Sequence, residues 1–496
     1  MRCGLVAAAA WSLTGAIPAA AQAGEVDTPA EFITAWQTPG VTEIVLTADL
    51  TLPCADQPRG ATAAALTLHG GGHRIRMDCT GAPQASVLNS QAAASLTVND
   101  VTLSGGDAAV DGGGILAEGD LTINNSTITG NVASQDGGGV FSFGALTMDG
   151  ATVTGNLASA GFGGAVTYDE MTINDSTIAD NSAVDVGGGV GAPVVTIDNS
   201  TIAGNSTPGT GGGVFADSLT MDGTTVTGNT AGDGGGGVHA LGGVSLDRST
   251  LSGNTATTNG AGAVLAESET TVTQSTVTGN TGNGTLADLA NRPAPGGIAT
   301  DSLTLIYATV ADNSGSAPGA AANVATTTDF AAYATAFGRP GGRPNCDNAG
   351  DVISGGHNAT DDGSCGLSTG TDQTAVADIG LRGLADNGGP TRTMLPAADS
   401  PLVDHIADCP AGPGATISTD QRGRTRPQGG GCDIGSVETA GGAGGGLAVT
   451  GAPVRVLLAT AGALLVTGLL LLLAVTRRRH GPPWRVSGTG AGRPPG

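Results

Sequence analysis

The sequence predicts an all-β fold, a single-stranded right-handed parallel β-helix with coils of about 25 residues, followed by one C-terminal transmembrane helix. Three observations predict it. The pattern Leu121-Thr-Ile-Asn-Asn-Ser-Thr-Ile128-Thr-Gly-Asn131 recurs from Leu146, Met171, Val195, Leu219, Val244, Thr270 and Leu303, with a degenerate copy at Leu96. Start-to-start spacings are 25, 25, 25, 24, 24, 25, 26 and 33. Each unit holds three short, apolar, β-branched pieces parted by turn residues, so each piece is too short to bury its own face and must stack on the next. Finally, residues 456–475 carry no charge over a length that matches a bilayer's hydrocarbon core.

The elements follow in chain order. Residues 1–23 read as a signal peptide: Arg2 is the only charge, 5–20 is apolar and Ala-rich, and Ala21-Gln22-Ala23 is a small-residue cleavage site. Residues 24–90 read as an N-terminal cap with irregular first coils, Glu43-Ile-Val-Leu46 and Leu66-Thr-Leu68 through His73-Arg-Ile75. Residues 91–329 are the repeats. No unit has room for a helix, because the Gly clusters and the Ser, Thr and Asn density would break one. Leucine-rich repeats are excluded by Ser or Thr in the second Leu column, and a nine-residue calcium β-roll by the period.

Inward columns read down the units. One is Leu103, Ile128, Val153, Ile178, Ile202, Val226, Leu251, Val277 and Val310; another is Ile115, Val140, Val166, Val190, Val214, Val238 and Val264. Asn131, Asn156, Asn181, Asn205, Asn229, Asn254, Asn280 and Asn313 each end the second piece. Asn tolerates φ > 0 at a turn and can bond to the amides above and below, so these read as a structural ladder. The acids before the Gly clusters, Asp111, Asp136, Asp185 and Asp233, read as solvated turn residues, with a calcium column as the rival reading. An outward column, Leu116, Phe141, Phe215, His239 and Leu265, is either packed under a loop or a shallow sugar-stacking stripe.

Residues 330–438 lose the strict period, 439–446 form a Gly-rich linker, and 447–479 contain Leu447-Ala448-Val449-Thr450-Gly451, the apolar run and Arg477-Arg478-Arg479. An Arg cluster at the end of a span marks the cytoplasmic side, leaving 480–496 as an inner tail and the N-terminal bulk outside. Cys3 falls in the signal. The other six, Cys54, Cys79, Cys346, Cys365, Cys409 and Cys432, allow fifteen pairings; their order suggests three local bridges, Cys54–Cys79, Cys346–Cys365 and Cys409–Cys432, in an oxidising compartment. No C-x-x-C spacing supports zinc.

Charge narrows the function. The chain has no Lys, and its 19 Arg face 43 Asp and Glu, for a net charge of −24. Lysine chemistry is excluded and nucleic acid is not expected as a partner. A uronate lyase needs cations against the substrate carboxylate, and only Arg248 and Arg292 occur between 90 and 300. No catalytic, cofactor-binding or metal-ligating residue stands out.

Three resemblances add to this. The repeats, with Gly163-Gly164-Ala165-Val166 and Ile128–Asn131, resemble those of polymorphic outer-membrane proteins and related right-handed β-helix surface proteins. The ordered series Asp386-Asn387-Gly-Gly-Pro390-Thr391, Asp399-Ser-Pro401, Asp420-Gln421-Arg422-Gly423 and Cys432-Asp433-Ile434-Gly435 resembles the C-terminal region of choice-of-anchor Q surface proteins. The pentapeptide, apolar run and Arg cluster resemble a sortase sorting signal of the Leu-Ala-x-Thr-Gly kind. That resemblance implies cleavage between Thr450 and Gly451 and transfer to peptidoglycan. The expectation is an exported surface protein, anchored to cell wall or membrane, whose rod serves adhesion, glycan binding or surface structure. The alternative is a wall-tethered polysaccharide-active β-helix enzyme, a glycosidase rather than a lyase.

Overall fold

Alternating β-branched residues in short pieces leave unpaired backbone on both sides of each coil, and stacking satisfies it. In the computed structural model, which describes residues 24–57, 65–79, 84–90, 95–287, 289–407, 409 and 417–440, the pieces form parallel ladders. The expected signal peptide, the Leu447–Gly451 motif and the apolar run at 456–475 lie outside the described residues. Among the described residues no helix is long and apolar enough to cross a membrane.

One coil shows the plan. Asp120–Asn124 lies on the first face, Thr127–Thr129 on the second, Val132–Ala133 on a short third face, and Val140–Ser142 returns to the first sheet. The second face is a 13-stranded sheet, whereas the first and last pieces of the coil share a 21-stranded one. Later coils fuse those two pieces into single strands, Val190–Asp198, Val214–Asp222, Val264–Thr273 and Ile298–Ile306. Leu121 pairs with Leu146, and the column continues through Met171, Val195, Leu219, Val244, Thr270 and Leu303. Leu103, Ile128, Val153 and their successors stack to Val310, all fully buried. Like apolar residues a rung of about 4.8 Å apart therefore fill a narrow interior.

One inward assignment is corrected. Val140 pairs with Ala165, and Val166 pairs with Phe141 on the outer side. Nine residues separate each ladder Asn from the inward slot at Val140, Val190, Val214 and Val238, and the same count from Asn156 reaches Ala165. Matching by residue type rather than by count misplaced Val166.

The Asn column is continuous and buried. Asn131 N–H and Nδ2 both donate to Asn156 Oδ1 at 3.0 Å, and the same pair of bonds repeats through Asn181, Asn205, Asn229, Asn254, Asn280 and Asn313. The left-handed backbone, however, falls on the preceding residue, Gly130 at φ 63° or Asp180 at φ 54°, so these Asn are selected for their amide and not for φ > 0. Beyond Asn313 the chain of amides runs on through Asn323 and Asn345 and ends on the Asp361 carboxylate at 2.6 Å. Aligned amides point their N–H ends toward the last coil, where a carboxylate is the favourable terminator. A second ladder, unforeseen, uses the Ser of the second piece: Ala151 N–H donates to Ser176 Oγ (2.9 Å) and Ser176 N–H to Ser200 Oγ (3.0 Å).

Stacking does not stop at residue 329. Phe330 pairs with Leu303 and Val352 with Phe330, and on the second face Ala359 pairs with Ala336. The N-terminal end is closed by the one α-helix among the described residues, Pro29–Gln37, which the sequence reading missed. Thr28 caps it through Glu31 N–H, Pro29 opens it, and Phe32 and Trp36 are buried over the first coils. Cys54–Cys79, Cys346–Cys365 and Cys409–Cys432 are disulfide-bonded, all outside the repeats at 91–329, with Cys346 in a strand stacked on Val324–Thr326.

The irregular segment after residue 376 folds back on the second face. Thr391 Oγ1 donates to Arg248 O (3.1 Å), Gln421 Nε2 to Ser249 O (3.0 Å), and Ser436 N–H to Thr309 Oγ1 (3.0 Å). Behind these contacts Arg422 pairs with Asp420 at 2.6 Å and Arg426 with Glu438 at 2.7 Å, all four buried. The Arg426 guanidinium also lies 4.4 Å over the Tyr307 ring. Charges removed from water are tolerable only when paired and hydrogen-bonded, and this network meets that condition.

Candidate functional site

Side chains alternate along a strand, so the residue after each inward slot points outward. Register then builds a lateral column from Asn89 through Leu116, Phe141, Val166, Gly191, Phe215 and His239 to Leu265. Leu116, Phe141 and Val166 are buried and cluster with Phe162, whose ring occupies the space over Gly191. Rings touch along the rod: Phe141 to Phe143 at 4.9 Å, Phe141 to Tyr168 at 5.1 Å, Phe162 to Phe215 at 5.8 Å and Phe215 to His239 at 5.4 Å. Phe143 and Tyr168, 5.8 Å apart, are 43% and 57% exposed. The expected column is therefore the packed backing, and two aromatics absent from that reading form the accessible surface. They lie in the variable link between the third and first pieces, off the repeat pattern; their only signal was aromaticity in a chain that is 3% aromatic.

At the far end a loop covers the column. Thr285–Leu286 pairs antiparallel with Arg292–Pro293, and Leu286 and Leu289 pack on Leu265. A cleft of about 320 Å³ remains between Asp233, His239, Asn259 and Leu286. On its wall Asn259 Nδ2 donates to Asp233 Oδ1 at 3.2 Å, and His239, which also lines it, has Nε2 3.6 Å from Glu267 Oε1. Glu267 was not singled out from sequence, since only the register brings it beside His239.

The turn acids serve the backbone. Asp136 N–H donates to Asp111 Oδ1 (3.0 Å) and Phe162 N–H to Asp136 Oδ1 (2.9 Å). Burial and the neighbouring Asp136 charge hold Asp111 above the usual carboxylate range, against the hydrogen bond from Asp136. Burial, then the charges of Asp136 and Asp111, raise Tyr168. Asp185 and Asp233 do not extend this pair: Gly161 overlies Asp136, and Asp233 aligns with Thr210 and Asn259. Among the described residues no group of three or more His, Cys, Asp or Glu is placed to hold a metal ion.

Residues 23–184 match the model of a putative pectate lyase-like adhesive domain. That stretch is thus similar to a pectate lyase-like adhesive domain. Residues 113–292 and 188–326 match the model of the right handed beta helix region, in keeping with the stacked coils. A similar solved structure is a crystal structure of pectate lyase Pel9A, 13% identical, with 69% of this chain and 87% of that chain covered and a TM-score of 0.36. No curated protein sequence matches the chain.

Proposed function

We propose that this chain is an exported, surface-anchored adhesive rod that binds polysaccharide along its lateral aromatic stripe. The observation that carries the reading is the exposed Phe143–Tyr168 pair held edge to face against buried Phe141. Two rings on one face offer flat apolar surface to the C–H faces of sugar rings, and their contacts with buried Phe141 reduce the side-chain freedom that binding must remove. The similarity to an adhesive domain supports it. Three disulfides suit an extracellular compartment. Anchoring through Leu447-Ala448-Val449-Thr450-Gly451 and the apolar run, with sortase and peptidoglycan as partners and a choice-of-anchor Q type C-terminal region, belongs to the same proposal.

The test is a polysaccharide panel presented to the purified chain, read for both retention and new reducing ends. Retention without turnover is expected. Turnover would favour a second reading, a glycan-active enzyme, for which His239 on the cleft wall with Glu267 beside it is the specific observation. In that case Glu267→Gln would abolish turnover and leave retention intact. Anchoring is tested by Thr450→Ala, which is expected to shift the protein out of the muramidase-released fraction; an unchanged fraction contradicts the sortase step.

A further inference from the structure

The lateral column begins on a polar residue. Asn89 stands in register with Leu116 at the N-terminal end of the stripe and is only 5% exposed. Its Oδ1 is buried with no hydrogen-bond partner. Buried acceptors are nearly always satisfied, so one left open at the wall of a cavity marks a place kept for a donor. The cavity is about 160 Å³ and is lined by Asn89, Gln57, Gln84, Ser86, Val110 and Leu116. Leu116 gives an apolar wall that continues into Phe141 one rung away. Gln57 Nε2 donates to Ser86 O (3.2 Å) and Gln84 Nε2 to Asp107 Oδ1 (3.3 Å), which fixes both amides around the opening. An apolar wall with a few convergent polar groups is how proteins hold small polar molecules.

We propose that this cavity is a subsite for one neutral sugar unit, a hydroxyl of which donates to Asn89 Oδ1, at the end of a glycan lying along the stripe. The assignment rests on the adhesive reading above and narrows it to uncharged glycans. No Arg or Lys occurs between Arg76 and Arg248, so the coils of the stripe hold no permanent cation to meet a uronate carboxylate. Asp107, already bonded to Gln84 at the opening, repels one. The rung spacing of about 4.8 Å is close to the advance of a pyranose along an extended chain, so a glycan can reach from this cavity to Tyr168 without leaving the column.

The test uses the full chain and the methyl glycosides of glucose, galactose, mannose and N-acetylglucosamine, with galacturonate as the charged control, followed by saturation-transfer NMR and calorimetry. At least one neutral glycoside is expected to bind and galacturonate is not. Asn89→Leu is expected to weaken that binding at least tenfold without lowering the thermal midpoint. Should it fail to fold, Val110→Trp at the exposed rim blocks the same opening and is expected to give the same loss. Absence of glycoside binding, equal binding by galacturonate, or full affinity in the folded variants overturns the subsite. Polymer retention by the same wild-type sample would then leave the adhesive reading standing, whereas loss of both defeats the two together.

Discussion

Asn205 illustrates how much a single ladder residue carries. Its Oδ1 accepts from both Asn181 N–H and Nδ2, and its own Nδ2 donates to Ile178 O and Asn229 Oδ1. Asn205→Ala strands two buried donors, each costing about 1–3 kcal/mol, so a loss of about 3–5 kcal/mol is expected in urea unfolding. Asn124→Ala, on the half-buried outer row where Asn124 bonds Asn99, is the control and is expected to cost under about 1 kcal/mol. The ladder was legible because Asn recurs at a fixed offset from the strand pattern. Its continuation was not, because Asn323 and Asn345 leave that offset and occupy the slot that Gly139, Gly164 and Gly189 hold in earlier coils. A Cβ at Gly139 would already sit 2.9 Å from Asn156 Nδ2, which is why a side chain there can take over the amide chain.

Elements differ in what fixes them. In the coils, count fixes register: a Cβ on Gly189 would meet Gly213 O at 2.5 Å and the Asn205 amide at 3.0 Å, so Gly189→Val is expected to cost about 2–3 kcal/mol and to loosen amide-exchange protection in the two adjoining coils first. The helix Pro29–Gln37 is a single short element outside the repeat, so periodicity does not mark it; only the capping signature Thr28-Pro29-Ala30-Glu31 does. The fold-back segment is held by buried charge instead of repetition, which periodicity cannot reveal. Burial lowers Arg426, against the pull of Glu438 and its other neighbours, and burial raises Glu438 against Arg426. Arg426→Met leaves Glu438 buried without its partner, at about 3–5 kcal/mol. Limited proteolysis is expected to release the segment after residue 376 while the β-sheet circular dichroism of the coils persists. Loss of both signals together would mean that the segment and coils fold as one.

At the scale of the molecule, charge sets the response to pH. Burial and the Asp222 charge raise Asp198 and Asp247, stacked on the first sheet and only partly offset by Arg248. A raised folded pKa adds stability as pH falls through it, so acidification from neutrality toward the usual carboxylate value of 3.8 is expected to raise the thermal midpoint. Asp362 and Asp372 act oppositely. Burial alone would raise them, yet hydrogen bonds from Ser364 and Asn345, and from Ser354, Asn358 and Thr369, hold both below the usual value of 3.8. Their contribution is complete above that value and is lost below it, so the midpoint is expected to turn over and fall below about pH 4. A profile flat from pH 7 to 3 would contradict this.

The rod itself was legible in the sequence, since repetition states the coil length and the columns directly. The binding surface proposed for it was not, because Phe143 and Tyr168 sit where the repeat is silent and only three-dimensional register brings them against Phe141. The most direct test of the account is retention of the full chain on immobilised neutral polysaccharide, compared with the Phe143→Ala/Tyr168→Ala double variant. The account predicts at least a tenfold loss with the fold retained and the thermal midpoint lowered by only a few degrees, because each ring is about half exposed and its loss removes edge-to-face contacts with Phe141. Undiminished retention by the folded variant would contradict it.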